Sequence, residues 1–241
     1  MIVWLASYPR SGNTFLRIVI NRLYGRGSST VYPRDGVRER LGGELVVAGR
    51  GGASLEEARD SSDVHFVKTH RRRSYDVSDV DHAIYLVRDG RDALVSFARQ
   101  RAEQDPGRYV DELRALLERR SGGTASWGQN VLSWLPPESS VGTSQVVVIR
   151  FENLIREPIR VVTDAVSRVA ADLPSLGGST VPTFDQLHQL DPQFFRRGRN
   201  GTHREEMPDD LEELFWSSAD NRMAMSRSGY GPSTHPPGQG C

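Results

Sequence analysis

Short apolar runs along the chain alternate with longer stretches in which apolar residues recur every three or four positions. The short runs predict buried strands, and the longer pattern predicts amphipathic helices. Strands are predicted over 1–6, 64–68, 83–87 and 145–150. Helices are predicted over 14–24, 92–104, 109–119, 126–135, 158–171, 184–190 and 209–227. This alternation favours an α/β fold, a three-layer sandwich with a central, mainly parallel sheet.

Four segments fall outside this pattern. Residues 25–64 are rich in Gly, Ser and Arg and only weakly periodic, which predicts a mobile loop or short irregular helices. A turn is predicted over 151–155, and an exposed arginine-rich loop over 191–207. The Gly/Pro-rich tail from 229 onward is predicted to be disordered, which leaves residues 1–228 as a single domain.

The first predicted strand turns into the first predicted helix through YPRSGNTF, residues 8–15. Such a turn leaves backbone N–H groups unpaired at the positive end of the helix dipole, where an anion binds readily. Gly12 lets the backbone approach the anion, and Arg10 adds a positive charge. The P-loop pattern GxxxxGK[ST] is not met, because its first glycine and its lysine are misplaced. From the residues alone, a phosphate site and an ordinary strand-to-helix turn are equally open.

The stretch at 8–15 closely resembles the 5′-phosphosulfate loop of the sulfotransferase family, whose members use 3′-phosphoadenosine-5′-phosphosulfate (PAPS) and release 3′-phosphoadenosine-5′-phosphate (PAP). The resemblance implies a P-loop-like phosphosulfate-binding loop, PAPS as co-substrate and no metal. It also gives Arg10 a catalytic role, although many members carry lysine there. The residues implied to hold the 5′ end are Arg10, Ser11, Gly12, Asn13, Thr14 and Phe15.

A second match lies at the end of the second predicted strand, at Lys68-Thr69-His70. Lys68 is the only lysine among 31 basic residues. The resemblance implies that His70 is the general base and that Lys68 stabilises the transferring group. The chemistry agrees, because an acceptor hydroxyl must lose a proton and imidazole titrates near neutrality. A cation beside the sulfuryl oxygens would stabilise the charge growing on the leaving phosphate.

A third match concerns the 3′-phosphate. Arg88 ends the third predicted strand, and Ser96 follows eight positions later, which is the family's spacing for this phosphate. An arginine at a strand end can place two donors on two phosphate oxygens. Without the first match, a salt-bridged Arg/Asp surface turn would be the favoured interpretation of this segment.

A fourth match lies in the predicted loop, where FFRRGRNG at 194–201 resembles the family's segment that closes over the 3′-phosphate. It implies that Arg196, Arg197 and Gly198 bind this phosphate. The family often continues with Gly-Asp-Trp, whereas this chain has Gly201-Thr202-His203, so the packing of the loop is open. The resemblance further implies that Phe15 and Phe184 stack on the adenine.

Composition sets the remaining expectations. The 31 basic and 31 acidic residues balance, which argues against a general nucleic-acid binder. No apolar run is long enough to cross a membrane. The only cysteine is Cys241, so no internal disulfide is expected and a cytoplasmic location fits. The preference for arginine suggests a bacterial source. The oligomeric state is open, and a homodimer is one option.

Two other functions stay open. A kinase using ATP and Mg²⁺ would need an acidic metal ligand and would be indifferent to a 3′-phosphate. A catalytically silent nucleotide-binding protein would transfer nothing. The expected partner is a small-molecule hydroxyl acceptor, whose walls are predicted to come from 25–63 and 101–142, and the residues there do not identify it.

Overall fold

The computed structural model describes residues 1–49, 54–73, 76–118, 124–135, 145–178 and 180–231. Five parallel strands in these residues form one sheet, in the order β2-β3-β1-β4-β5. The strands are β1 (Ile2–Ser7), β2 (Ser28–Thr30), β3 (His65–Thr69), β4 (His82–Val87) and β5 (Val146–Arg150). The predicted α/β sandwich is therefore confirmed.

Helices cover both faces of the sheet. In chain order they are α1 (Asn13–Tyr24), α2 (Gly36–Leu41), α3 (Leu55–Asp60), α4 (Gly90–Arg101), α5 (Tyr109–Glu118), α6 (Trp127–Trp134), α7 (Phe151–Arg156), α8 (Pro158–Val169), α9 (Phe184–Leu190), α10 (His203–Glu206), α11 (Asp209–Ser217) and α12 (Ala219–Arg227). One apolar cluster joins one face of the sheet to α4, α5, α6, α11 and α12. A second joins the other face to α1, α7, α8 and α9.

β1 is the centre of the sheet because it is apolar on both faces. All six of its residues are buried. Val3 and Leu5 face the cluster that contains α1, and Trp4 and Ala6 face the opposite cluster. Side chains of a strand alternate between faces, so a continuous apolar run suits a strand covered on both sides.

The carboxyl ends of β3, β1 and β4 lie side by side. Ala6 pairs with Thr69 on one side and with Tyr85 on the other. The chain leaves β1 into α1 and leaves β4 into α4 at this edge. Open parallel sheets bind ligands outside the carboxyl ends of their strands, which places the predicted site residues at this edge.

Residues 25–64 contain the edge strand β2 and the short helices α2 and α3. Of the two predicted alternatives, short helices are the one found in the described part of this segment. α3 begins with a capping box between Ser54 and Glu57. α2 has no fully buried residue, although Val37 and Leu41 pack against the apolar cluster that contains α1. β2 was missed because three residues carry no periodicity.

Two other segment predictions are wrong. Residues 151–155 form helix α7 and not a turn, because Phe151 and Leu154 lie three positions apart and bury the same side. The predicted helix over 209–227 is two helices, α11 and α12. Ser218 separates them, with an extended backbone and a side chain that accepts from the N–H of Asn221.

The predicted exposed loop over 191–207 is partly buried. Phe194, Phe195, Thr202 and His203 are all buried, and the segment ends in α10. The structure describes residues 229–231 of the tail predicted to be disordered. There the Tyr230 hydroxyl donates to a carboxylate oxygen of Glu152, at 2.6 Å. Residues 232–241 lie outside the described residues.

None of the helices in the described part of the chain is long and apolar enough to cross a membrane.

Candidate active site

The turn between β1 and α1 forms one wall of a cavity of about 470 Å³. Gly12 has a φ of 101° and precedes the first residue of α1, and no side chain caps this helix. The N–H groups of the first turn therefore remain available to donate hydrogen bonds to a ligand. A Cβ on Gly12 would lie 2.7 Å from the ring of Phe151, so both the backbone angle and the close approach require glycine.

The side chains of this turn do not all face the cavity. Thr14 and Phe15 line it together with Arg10 and Gly12. Ser11 is completely buried and is not among the lining residues. Asn13 lines the cavity, but its amide donates to the Leu5 carbonyl at 2.9 Å and to Ser7 Oγ at 3.2 Å. The predicted contribution of Asn13 to anion binding is thus left to its backbone N–H.

Arg10 stands in the cavity wall with a φ of 65°, which is unusual for a residue with a Cβ. Its Nε donates to Ser96 Oγ at 3.3 Å, and its guanidinium also donates to the Phe194 carbonyl. The guanidinium carbon lies 4.4 Å from the centre of the Phe194 ring. Burial, followed by the charge of Arg88, lowers the pKa of Arg10 to about 10.

Arg88 joins the turn after β1 to the segment after Gly198. Its two terminal nitrogens donate to the carbonyls of Arg10, at 3.1 Å, and of Arg199, at 3.0 Å. Its Nε is buried and has no partner among the described residues. Burial lowers the pKa of Arg88. Neither Arg10 nor Arg88 forms an ion pair with a carboxylate of the described residues, so both positive charges are available to an anion.

Arg196, Arg197 and Gly198 also line the cavity. Arg196 pairs with Glu206 at 2.8 Å, and Arg197 pairs with Glu205 at 2.5 Å. Two of the three arginines predicted to hold the 3′-phosphate are therefore partly neutralised. A Cβ on Gly198 would lie 2.2 Å from the ring of Phe184, so glycine lets this aromatic ring lie against the loop.

Asp92 holds the loop whose packing was left open by the sequence. This fully buried carboxylate accepts from the N–H of Gly201 at 2.7 Å, from Thr202 Oγ1 at 3.1 Å, and from the N–H and Nδ1 of His203 at 2.9 and 2.8 Å. Although burial opposes ionisation, the hydrogen bonds from His203 and the charge of Arg88 hold the pKa of Asp92 well below its ordinary value. Thr202 and His203 thus fix this loop in place of the family's usual residues.

His70 follows β3 and lines the cavity. Its Nδ1 lies 2.9 Å from the Ser7 carbonyl and 3.2 Å from Ser7 Oγ. A carbonyl only accepts, so Nδ1 carries the proton and Nε2 is left as the basic nitrogen. Burial, followed by the charge of Lys68, lowers the pKa of His70 to about 3. The ring is therefore neutral near pH 7, as a proton acceptor must be.

Lys68 lies on β3, two positions before His70, and also lines the cavity. Its Nζ lies 5.1 Å from the centre of the Tyr32 ring. Burial, followed by the charge of Arg17, lowers the pKa of Lys68 to about 8, and the Asp35 carboxylate acts in the opposite direction. Arg17 is itself buried, where it contacts Asp35 and donates to Ser28 Oγ at 2.6 Å.

Arg40 was missed by the sequence analysis, as were Asp92 and Arg17. Arg40 lies on α2, lines the cavity and contacts two carboxylates, Glu103 at 2.9 Å and Asp191 at 2.5 Å. Both contacts involve two nitrogens of the guanidinium. No sequence pattern could have identified Arg40, because its two partners lie 63 and 151 positions away along the chain.

The structure thus gathers nearly all of the predicted residues around one cavity. Those that line it are Arg10, Gly12, Asn13, Thr14, Phe15, Lys68, His70, Arg88, Ser96, Phe184, Arg196, Arg197 and Gly198. The predicted acceptor segment at 25–63 contributes Gly36, Val37 and Arg40 to the wall. The described residues of 101–142 contribute none to this cavity.

The comparisons with known proteins agree with this geometry. The family model described as sulfotransferase domain matches residues 2–167, well over half of the chain. The mouse sulfotransferase SULT7A1 complexed with PAP is 18% identical, over 95% of this chain and 89% of that chain, with a TM-score of 0.58. Retinol dehydratase in a complex with retinol and PAP is 16% identical, over 98% of this chain and 83% of that chain, also with a TM-score of 0.58. A comparison with curated proteins finds no match. The two structures show the shared fold, and the family model shows that this chain belongs to the sulfotransferase domain family.

Proposed function

We propose that the chain transfers the sulfuryl group of PAPS to a hydroxyl group of a small-molecule acceptor and releases PAP. Its family supports the reaction type. The PAP that the two neighbouring structures contain supports the nucleotide. The cytoplasmic location and the bacterial source, suggested by the cysteine and arginine usage, remain predictions.

One observation carries this proposal. Arg10 and Arg88 stand in the wall of a single cavity without a carboxylate partner among the described residues, and the neutral ring of His70 lines the same cavity. Two guanidinium groups that are shielded from water and have no carboxylate partner are costly unless an anion joins them. A doubly phosphorylated nucleotide would supply an anionic partner for each of the two arginines.

Different residues of the cavity would bind different parts of the nucleotide. The N–H groups at the start of α1 and the Arg10 guanidinium would hold the 5′ end. Arg88 and Ser96 would hold the 3′-phosphate, with Arg196 and Arg197 turning to it from their glutamates. Phe15 and Phe184 would enclose the adenine. Ser96 Oγ also accepts a hydrogen bond from Arg10 Nε, which helps to orient the Arg10 guanidinium.

The chemical step needs a base and positive charge beside the sulfuryl group. The acceptor oxygen bonds to sulfur, the bond from sulfur to the bridging phosphate oxygen breaks, and that oxygen leaves with the electron pair. His70 takes the acceptor's proton on Nε2. Lys68 and Arg10 stabilise the charge that grows on the sulfuryl and leaving oxygens. These cations take the part that Mg²⁺ has in a kinase.

Calorimetry tests the nucleotide. PAP is expected to bind at least about tenfold more tightly than AMP, which differs only by the absence of the 3′-phosphate. Mg²⁺ should leave the affinity for PAP unchanged. Tighter binding of ADP than of PAP, and only with Mg²⁺, would favour the kinase.

Turnover tests the transfer. The enzyme is incubated with ³⁵S-labelled PAPS and a cell extract, and labelled products are identified by mass. A sulfated hydroxyl compound is expected, and it would identify the acceptor. PAP binding with no labelled product from any extract or acceptor panel would instead indicate a silent nucleotide-binding protein.

A further inference from the structure

The ring and main chain of His70 are held from three directions. Nδ1 faces the Ser7 carbonyl of β1, at 2.9 Å. The main-chain N–H donates to the Tyr32 hydroxyl, also at 2.9 Å. The main-chain carbonyl accepts from Nδ2 of Asn130, again at 2.9 Å. A strand, a helix and the segment after β2 therefore meet at one residue, just beyond the end of β3.

Asn130 is the least expected of these partners, because it belongs to α6 and does not line the cavity. Its side chain is completely buried. Nδ2 donates to the carbonyls of His70 and Thr124, and Oδ1 accepts from the Tyr85 hydroxyl at 2.9 Å. Burial raises the pKa of Tyr85. Its hydroxyl therefore stays a donor, which fixes the amide with Nδ2 toward His70.

The hydrogen bond from Asn130 to the His70 carbonyl determines which ring nitrogen of His70 can accept a proton. The ring reaches the Ser7 carbonyl only while the main chain of residue 70 stays in place, since a rotated or displaced ring would lose this acceptor. Imidazole without such a partner exchanges its proton between the two nitrogens. A proton on Nε2 would leave no acceptor facing the cavity.

We propose that Asn130 is a positioning residue for His70. It holds the main chain of His70 so that the protonated Nδ1 donates to the Ser7 carbonyl and the unprotonated Nε2 faces the cavity. The positioning follows from the geometry alone. Its consequence for catalysis rests on the proposed sulfuryl transfer.

The chain offers a matched control in Asn221. This buried asparagine also joins main-chain groups through its amide, since Nδ2 donates to the Phe215 carbonyl and Oδ1 accepts from the N–H of Gly128. It lies on α12, which packs against α6, and it makes no contact with His70. Loss of either amide should lower stability, whereas only the loss of Asn130 should disturb His70.

The test is ¹⁵N NMR of the full chain labelled at its six histidines. The His70 signals are identified by their loss in His70→Gln. The wild type should show a protonated Nδ1 and an unprotonated Nε2. In Asn130→Ala, and in the near-isosteric Asn130→Leu, the two shifts should move toward the values of a mixture of tautomers. Asn221→Ala should keep the wild-type pattern.

The proposal is overturned if the wild type already shows a protonated Nε2 at His70, a result that needs neither Asn130 variant to fold. It is also overturned if either Asn130 variant keeps the wild-type shifts, or if Asn221→Ala changes them equally. None of these measurements uses PAPS or an acceptor. A tautomer change without any sulfotransferase activity would therefore retain the positioning role and reject the proposed function.

Turnover adds a second readout. Asn130→Ala should lower kcat by about 10²-fold, the cost of displacing a reacting group by about 1 Å. The affinity for PAP should stay within about twofold of the wild type, because Asn130 forms no hydrogen bond with the turn between β1 and α1. Equal losses in kcat and in PAP affinity would indicate a general structural role and count against the proposal.

Discussion

Arg88 acts through both its charge and its position. It joins the carbonyls of Arg10 and Arg199, and its buried Nε is unpaired among the described residues. Arg88→Ala should therefore weaken PAP binding by about 10- to 100-fold, since a hydrogen bond to a charged group contributes about 1.5–3 kcal/mol. Binding of AMP should change much less. Calorimetry with both nucleotides measures this selectivity.

The control for Arg88 is Arg91, three positions further on. Arg91 pairs with Asp89 and Glu212 and does not line the cavity. Arg91→Ala should leave the ratio of the PAP and AMP affinities unchanged. If Arg88→Ala weakened the two nucleotides equally, the 3′-phosphate would have to bind elsewhere.

His70 should matter for turnover and little for binding. His70→Ala is expected to lower kcat by about 10²- to 10⁴-fold, the usual contribution of a general base, while the affinity for PAP stays nearly intact. His82→Ala provides the control, because His82 begins β4 at the opposite edge of the sheet. Steady-state kinetics with an identified acceptor decide the matter. An undiminished kcat in His70→Ala would show that His70 is not the general base.

Sequence reasoning succeeded where one short motif carries both a fold signal and its chemistry. Lys68 and His70 follow an apolar run, so their place at a strand end could be predicted together with their residue types. Asp92 and Asn130 gave no such signal. Each acts on partners at least 60 positions away, His203 and His70, and a buried aspartate or asparagine looks like any other residue of a polar helix face.

At the scale of elements, the loop that follows Gly198 depends on one carboxylate. Asp92 accepts four hydrogen bonds from Gly201, Thr202 and His203. Asp92→Ala leaves these buried donors unpaired and should lower the free energy of unfolding by about 3 kcal/mol. Denaturant unfolding measures this loss. Hydrogen exchange should accelerate at 199–203 more than in the sheet.

Asp111 on the exposed side of α5 serves as the control for Asp92, and Asp111→Ala should change neither stability nor exchange appreciably. An Asp92→Ala protein with wild-type exchange at 199–203 would show that the loop is held by other contacts.

Helix α2 is attached by the apolar side chains of Val37 and Leu41 and by the ion pairs of Arg40. It has no buried residue, and Arg40 near its end contacts both Glu103 and Asp191. These groups are partly exposed, so their loss should cost roughly 1 kcal/mol, about a fivefold change in local opening. Arg40→Ala should therefore speed amide exchange at 36–41 about fivefold. Arg38→Ala, which removes an arginine from the same helix, should have little effect, and equal acceleration in both would argue against the Arg40 contacts.

The elements that sequence could predict are those with repeated apolar positions. β1, β4 and α8 bury several residues on a regular spacing, and their predictions hold. β2 spans three residues and α7 spans six, too few for a period to appear. The loop at 191–207 looked exposed because its arginines dominate the composition, yet its phenylalanines fill the core beside α9.

For the whole molecule, His70 links folding to pH. Its pKa is about 3 in the fold, against an ordinary value of 6.5. The unfolded chain therefore binds more protons between these values, and stability falls as the pH drops below about 6.5. The full slope for one group is about 1.4 kcal/mol per pH unit.

Urea unfolding of the wild type and of His70→Gln at pH 7, 6 and 5 isolates this effect, because the other histidines and the carboxylates contribute to both proteins. The wild type should lose stability relative to His70→Gln at each step. A difference in stability that stays constant from pH 7 to 5 would contradict the lowered pKa.

Saturating PAP should reduce that same pH dependence. If its 5′-phosphate binds at the start of α1, it brings negative charge toward His70 and offsets the positive charge of Lys68, which raises the pKa of His70 toward its ordinary value. The two proteins should then show nearly parallel stability between pH 7 and 5. AMP carries the same 5′-phosphate and should act in the same way once saturating, whereas adenosine should not. An unchanged pH dependence with PAP bound would place the 5′-phosphate away from His70 and require the nucleotide to lie in the cavity in another orientation.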